Sequence, residues 1–134
     1  MLVHQVMVRD VQVIEPDAMT DEAARMMADL DIGALPVVEQ DALRGIITDR
    51  DVLIRVVAQC RDPRETRVAD VMSSTLFTCD PADTVDAVIA AMERHQVRRM
   101  PVVDSEGGLL GVVTLGDLQR EAAPRGARES QRFT

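Results

Sequence analysis

The sequence predicts a mixed α/β (α+β) fold built twice: two β-α-β-β-α repeats closing into one module with an approximate twofold axis. Three observations predict it. Gly45-Ile46-Ile47-Thr48-Asp49-Arg50-Asp51 returns as Gly111-Val112-Val113-Thr114-Leu115-Gly116-Asp117. Leu35-Pro36-Val37-Val38 returns as Met100-Pro101-Val102-Val103. Register also holds further back, matching Val6-Met7 with Val71-Met72, Pro16 with Pro81, Asp21 with Asp86 and Met27 with Met92. The proline segments are 65 residues apart and the glycine segments 66, so the second copy carries one extra residue in its turn, near Gly107-Gly108. A duplication of this extent sets the fold unit, the symmetry and the place to look for a site together.

In the first copy, Val11-Gln12-Val13-Ile14 is a short β-prone run closed by Pro16-Asp17. A helix over Thr20–Leu30 follows, with Thr20, Ala23, Ala24 and Met27 on one stripe. Asp21 and Glu22 suit the positive end of its dipole, and Gly33 is expected to end it. Residues 34–38 read as a strand whose proline belongs at a strand start or an edge, since it cannot donate to a ladder. Glu39-Gln40-Asp41 makes the turn, 43–48 the returning strand, and a second helix runs from Asp49 to about 58. Val52, Leu53, Val56 and Val57, widened by Ile54 and Ala58, leave that helix more apolar than one small sheet can cover.

A charged linker, 61–67, leads to the second copy, where Val68 to Met72 resembles Val3 to Met7 as a short helical lead-in. Leu76-Phe77-Thr78-Cys79 is its opening strand, and Thr84 caps a helix to about Gln96 with Val85, Val88, Ile89 and Met92 inward. Residues 99–103 and 109–114 form its hairpin, and the closing helix begins near Leu115. The organisation expected is therefore copy one at 3–60, a linker, copy two at 68–121, and a disordered tail over 122–134.

Composition narrows the function. Apolar residues make up 46% of 134, yet Phe77 and Phe133 are the only aromatics, so aliphatics and the eight methionines must fill the core. Each copy is too small to be stable alone, which predicts that the two pack together. Net charge is −8 and the sequence has no lysine, a balance that argues against a broad nucleic-acid surface but not against a small anion held by local arginines. No stretch approaches a membrane span and no signal-peptide pattern opens the chain, so a cytoplasmic protein is expected. Cys60 and Cys79 have no metal-like spacing; two buried or half-buried thiols are expected, with a redox pair as the alternative. His4 and His95 have no cluster of ligands nearby in sequence, so no metal is expected, and His95 suits the end of a helix.

The chemistry concentrates where each returning strand meets the next helix. Backbone N–H groups and a helix N-terminus there suit phosphate, Thr48 and Thr114 can donate a hydroxyl, and Asp51 and Asp117 can accept from both hydroxyls of a ribose. The same residues are also good N-caps on their own account, worth about 1 kcal/mol each. Arg98 and Arg99 precede Met100-Pro101 at the strand entrance and are the best phosphate candidates. The matching Gly33 and Ala34 carry no charge, which predicts unequal clefts. The other reading of this arginine pair is neutralisation of nearby acids such as Asp104, and Arg50 and Arg55 are further candidates for a cleft or an interface.

With Pro-Val-Val and Gly-x-x-Thr-x-x-Asp each given twice in this order, residues 3 to 120 resemble a tandem pair of CBS domains, the family named after cystathionine β-synthase. The resemblance implies a pseudo-twofold module with two clefts that hold AMP, ADP, ATP or S-adenosylmethionine as regulatory ligands, with no cofactor required. The implied ligand-binding residues are Thr48, Asp51, Thr114, Asp117, Arg98 and Arg99, with Val13 and Thr78 on the opening strands. It also implies a homodimer, here through the 49–58 helix, and an effector protein acted on in trans, since no effector domain is recognised. A ligand-free structural or interaction dimer, stress- or redox-linked, is the alternative. Catalysis is not expected, because there is no nucleophile–base–orienter set, P-loop or metal motif.

Overall fold

The computed structural model describes residues 1–122 of the 134, so the expected tail at 122–134 lies, apart from Ala122, outside the described residues. Contacts divide the chain into two compact units: Gln12–Leu76, and residues 1–11 with the chain from 77 onward. The 12–76 unit contains α1 (Thr20–Leu30), the antiparallel hairpin β1 (Ala34–Glu39) and β2 (Ala42–Thr48), and α2 (Asp49–Val52). The other unit contains α3 (Val85–His95), the hairpin β3 (Arg99–Val103) and β4 (Leu109–Thr114), and α4 (Leu115–Ala122).

Each expected opening strand contracts to one parallel bridge, Ile14 to Val37 and Cys79 to Val102. Proline sets this limit. The Ile14 N–H donates to the Pro36 carbonyl at 3.0 Å and the Val38 N–H returns to Ile14 at 2.9 Å, but Pro36 has no N–H with which to extend the ladder. Cys79, Pro101 and Val103 repeat the arrangement at 3.0 Å for both bonds. Both prolines therefore lie inside their strands, with the missing donor turned away from the hairpin partner. That is the edge placement, one of the two expected, and not the strand start.

The hairpins differ by the one residue the repeat offset predicts. Gln40 and Asp41, at φ 52° and 66°, form a two-residue turn of the type that matches strand twist. The second turn is longer, and Gly107 supplies its positive φ of 84°. There the Asp104 carboxylate accepts the Glu106 and Gly108 N–H groups at 2.9 and 2.8 Å.

Helix ends correct one expectation: α1 is closed by Asp31, not Gly33. Asp31 has φ 53°, and the next N–H, of Ile32, reaches back to the Met27 carbonyl at 3.0 Å. Gln96 ends α3 in the same way at φ 56°, with Val97 bonded to Met92 at 3.0 Å. After α2 the helix continues over Leu53–Val57 wound one residue wider, the Ala58 N–H reaching Leu53 at 2.9 Å. Cys60, at φ 57°, terminates it, and its thiol is exposed instead of half-buried.

The lead-ins were the least predictable part. The 3₁₀ turn Val3–Gln5 docks through Val3 on the Asp83 carbonyl and His4 on that of Pro81, at 2.9 and 3.1 Å. Val8 and Val112 then exchange two bonds at 2.9 and 3.0 Å. In the 12–76 unit the turn Val68–Asp70 docks through Val68 on Ala18 and Ala69 on Pro16, and Ser73 exchanges bonds with Ile46. A Cβ at Gly45 would lie 2.7 Å from the Ser73 carbonyl oxygen, and one at Gly111 2.6 Å from that of Val8. These two glycines are what let the lead-ins approach.

Each unit has its own cluster of buried residues. One gathers Ile14, Ala23, Met27, Leu35, Ile47 and Val71 with their neighbours; the other gathers Val3, Val88, Met92, Met100, Val113 and Leu118 with theirs. Met27, Met92 and Met100 fill the core as the scarcity of aromatics requires.

Candidate functional site

Both Thr-x-x-Asp segments form the junctions expected, and both cap their helices. In the 12–76 unit the Asp51 N–H donates to Thr48 Oγ1 at 3.0 Å, and the Thr48 N–H donates to Asp51 Oδ2 at 2.9 Å. Asp51 Oδ1 faces Arg55 Nε at 3.9 Å, and the carboxylate side chain is 15% exposed. In the other unit the Asp117 N–H donates to Thr114 Oγ1 at 3.2 Å. The return bond is replaced by an ion pair between Asp117 and Arg120. In each junction the threonine oxygen acts as acceptor in the cap, so its proton remains available to donate.

The β3–β4 register brings the second-copy candidates to one end of one hairpin. Arg99 stands opposite Thr114, and the Arg98 carbonyl accepts the Leu115 N–H at 2.8 Å. Arg98 and Arg99 are exposed and form no ion pair among the described residues, with Asp104 or any other acid. In the first copy Ala34 stands opposite Thr48 and the Gly33 carbonyl accepts the Asp49 N–H at 3.0 Å.

Val13 and Thr78 are both exposed, beside the bridging Ile14 and Cys79. Val13 lines a hollow of about 440 Å³ with Ile14, Glu15, Asp17, Glu22 and Met26. A second hollow, about 320 Å³, is lined by Met27, Ala28, Ile32, Asp49 and Val52. Neither of these two hollows is lined by Thr48 or Asp51, though Asp49 of the same junction lines the second.

Three features escaped the sequence reading. Arg55, a candidate for a cleft or an interface, is tied to its own unit: its Nη1 donates to the Val71 carbonyl at 3.0 Å. Phe77 stacks on His95 with ring centroids 3.8 Å apart and planes 13° from parallel. Asp49 accepts the Arg50 N–H on Oδ1 at 2.7 Å, occupying a helix N-terminal donor with a carboxylate of the chain itself. The signal for Asp49 was present, since the repeat puts leucine at its counterpart, residue 115.

The two cysteines are free. Burial, with the negative Asp83 and Asp80 adding to it, pushes the Cys79 thiol up to about 12. Asp21 lies below the usual carboxylate range chiefly through its hydrogen bond to Arg25, and Asp62 chiefly through the Arg64 backbone N–H. Among the described residues no three His, Cys, Asp or Glu side chains gather as metal ligands, and no helix is long and apolar enough to cross a membrane.

Comparison with known proteins agrees with the repeat. The CBS domain family model matches residues 3–58 and again 68–123. The CBS domain-containing protein YhcV of Bacillus subtilis is 41% identical over 116 residues, 87% of this chain and 81% of that protein. A solved CBS-domain protein from Burkholderia ambifaria superposes with a TM-score of 0.79 at 32% identity, covering 91% of this chain and 93% of that one. The CBS domain pair of protein MJ0100, solved with 5-methylthioadenosine and S-adenosylmethionine, superposes with a TM-score of 0.78 at 26% identity, covering 91% and 95%.

Proposed function

Because the chain belongs to the CBS-domain family, matched once at 3–58 and once at 68–123, we propose that it is a regulatory module that binds an adenosine-containing ligand and signals to a partner protein in trans. AMP, ADP, ATP and S-adenosylmethionine are the ligands in question. The observation that carries the reading is the second junction, where Thr114 and Asp117 stand at the same hairpin end as two arginines with no ion-pair partner among the described residues. Asp117 would take the ribose hydroxyls, Thr114 would donate to a ribose or phosphate oxygen, and Arg98 and Arg99 would meet phosphate. Thr48 and Asp51 would do the sugar chemistry of the first copy, with Val13 and Thr78 contacting the rest of the ligand. Adenosine compounds bound to the MJ0100 domain pair support this assignment.

The role is one of holding, not of catalysis. Both carboxylates are engaged with N–H groups or arginine, which suits holding a ligand. A ligand held in this way shifts a conformational equilibrium only by its differential affinity for the two states, and that difference is the signal passed on. The face carrying Leu53, Ile54 and Val57, which are 58%, 46% and 60% exposed, is the surface we assign to homodimer formation. Two unpaired thiols suit a cytoplasmic setting.

Calorimetry with AMP, ATP and S-adenosylmethionine tests the reading. Binding to the wild type that weakens at least tenfold in Asp117→Asn supports it. Silence from every ligand leaves the interaction dimer, which the exposed apolar face favours, as the function.

A further inference from the structure

The two junctions are equivalent in backbone and opposite in chemistry. The Asp49 N–H donates to the Gly33 carbonyl at 3.0 Å, and the Leu115 N–H donates to the Arg98 carbonyl at 2.8 Å. Positions 33 and 49 in one copy thus stand where 98 and 115 stand in the other. The first pair is a glycine and a carboxylate; the second is an arginine and a leucine. Asp49 Oδ2 lies 3.3 Å from the point a Cβ on Gly33 would occupy, so the carboxylate fills the region from which the Arg98 side chain departs in the other copy. Its Oδ1 holds the Arg50 N–H at 2.7 Å.

The balance of charge follows. Asp49 and Asp51 offset Arg50 and Arg55 at the first junction, and Arg55 is committed to the Val71 carbonyl and to Asp51. At the second, Arg98, Arg99 and Arg120 exceed Asp117 by two charges.

We propose that the two junctions sort adenosine ligands by charge, with Asp49 as the residue that decides. The Thr48–Asp51 junction admits adenosine compounds without phosphate, and the Thr114–Asp117 junction takes those that carry it. The proposal rests on the adenosine-binding function above and assigns a ligand class to each copy. Asp49 acts twice against a phosphate: it repels the charge, and it already occupies the N–H a phosphate oxygen would accept from. A neutral thioether or a sulfonium cation meets neither obstacle. One unit charge several ångströms away, screened at an exposed position, is worth roughly tenfold in affinity.

The test uses the full chain with AMP and 5-methylthioadenosine as probes, followed by calorimetry and equilibrium dialysis. The wild type should take one of each per chain, and neither should displace the other. Asp49→Asn keeps an oxygen for the Arg50 N–H and removes the charge; it should tighten binding of a second AMP by roughly tenfold. Leu115→Asp, which gives the second junction the first copy's residue, should weaken the first AMP by a similar factor; thermal melting confirms that it folds, and Asp49→Asn decides alone if it does not. Equal filling of both junctions by AMP in the wild type overturns the sorting, as does an AMP-to-methylthioadenosine preference that Asp49→Asn leaves within about threefold of the wild type. Failure of both probes to bind the wild type overturns the adenosine reading itself, an outcome seen before any variant is made.

Discussion

Replacing Gly111 with alanine tests how the amino-terminal lead-in is held. The added Cβ would lie 2.6 Å from the Val8 carbonyl oxygen and 3.1 Å from the Met7 sulfur. A flexible thioether can move aside, but a backbone carbonyl takes its strand with it. Restoring van der Waals distance needs a displacement of more than half an ångström, enough to break the two Val8–Val112 bonds at 2.9 and 3.0 Å. Each is worth about 1 kcal/mol net. Partial loosening of the fully buried Val3 adds about 1 kcal/mol more. The expected cost is therefore about 2–4 kcal/mol, a large part of a typical domain's stability. Urea unfolding followed by circular dichroism measures it, and amide exchange at Val8 and Val112 locates it. Gly116→Ala is the control, because its Cβ meets only the Arg120 guanidinium at 3.7 Å, and it should be neutral or slightly stabilising. A Gly111→Ala cost below about 0.5 kcal/mol, with protection at Val8 and Val112 unchanged, would show that the approach of these backbones does not matter.

Asp31→Gly and Gln96→Gly relieve left-handed residues at φ 53° and 56°, and each should raise stability by about 0.5–1 kcal/mol in thermal melting. Thr84→Ala removes the acceptor of the Ala87 N–H and should cost about 1 kcal/mol in the same assay. At pH 8 a thiol reagent should count one reactive cysteine, Cys60, in the native protein and two after unfolding. Because burial raises the Cys79 thiol from 9.0 to about 12, its contribution to stability is complete below pH 9 and is lost as pH climbs towards 12; urea midpoints across that range should fall less steeply in Cys79→Ala.

The regular elements were legible because their signals are local. Thr20 to Leu30 carries acids in its first turn and an apolar stripe, and β3, β4 and α4 begin where the second copy's pattern places them. The end of α1 was misread because glycine is the usual left-handed residue; here Asp31 takes that conformation, and the Ile32 N–H closes the helix on the Met27 carbonyl at 3.0 Å. The opening strands were overread, since β-propensity at Val11 and Val13 says nothing about a proline that halts the ladder in the neighbouring strand. The docking of the lead-ins is non-local and left one trace: a glycine inside each apolar returning strand, at 45 and 111. At the candidate site the threonine–aspartate pairs and the arginine pair could be picked out by residue type. Their capping role was legible in the same way, whereas the Arg55 tie and the Asp49 bond at the first helix start required coordinates.

The duplicated stretch of sequence and the stretch that folds together are out of phase by about ten residues, because residues 1–11 belong with the chain from 77 onward. A gene fragment cut at the repeat boundary would leave the Ile46 edge without Ser73 to cover it, an open ladder that invites pairing with another molecule. A fragment spanning Gln12–Leu76 would carry its own cover. Recombination that transplants such copies between proteins is therefore better tolerated with breakpoints near 11 and 76 than in the charged segment that a reader of the repeats would choose.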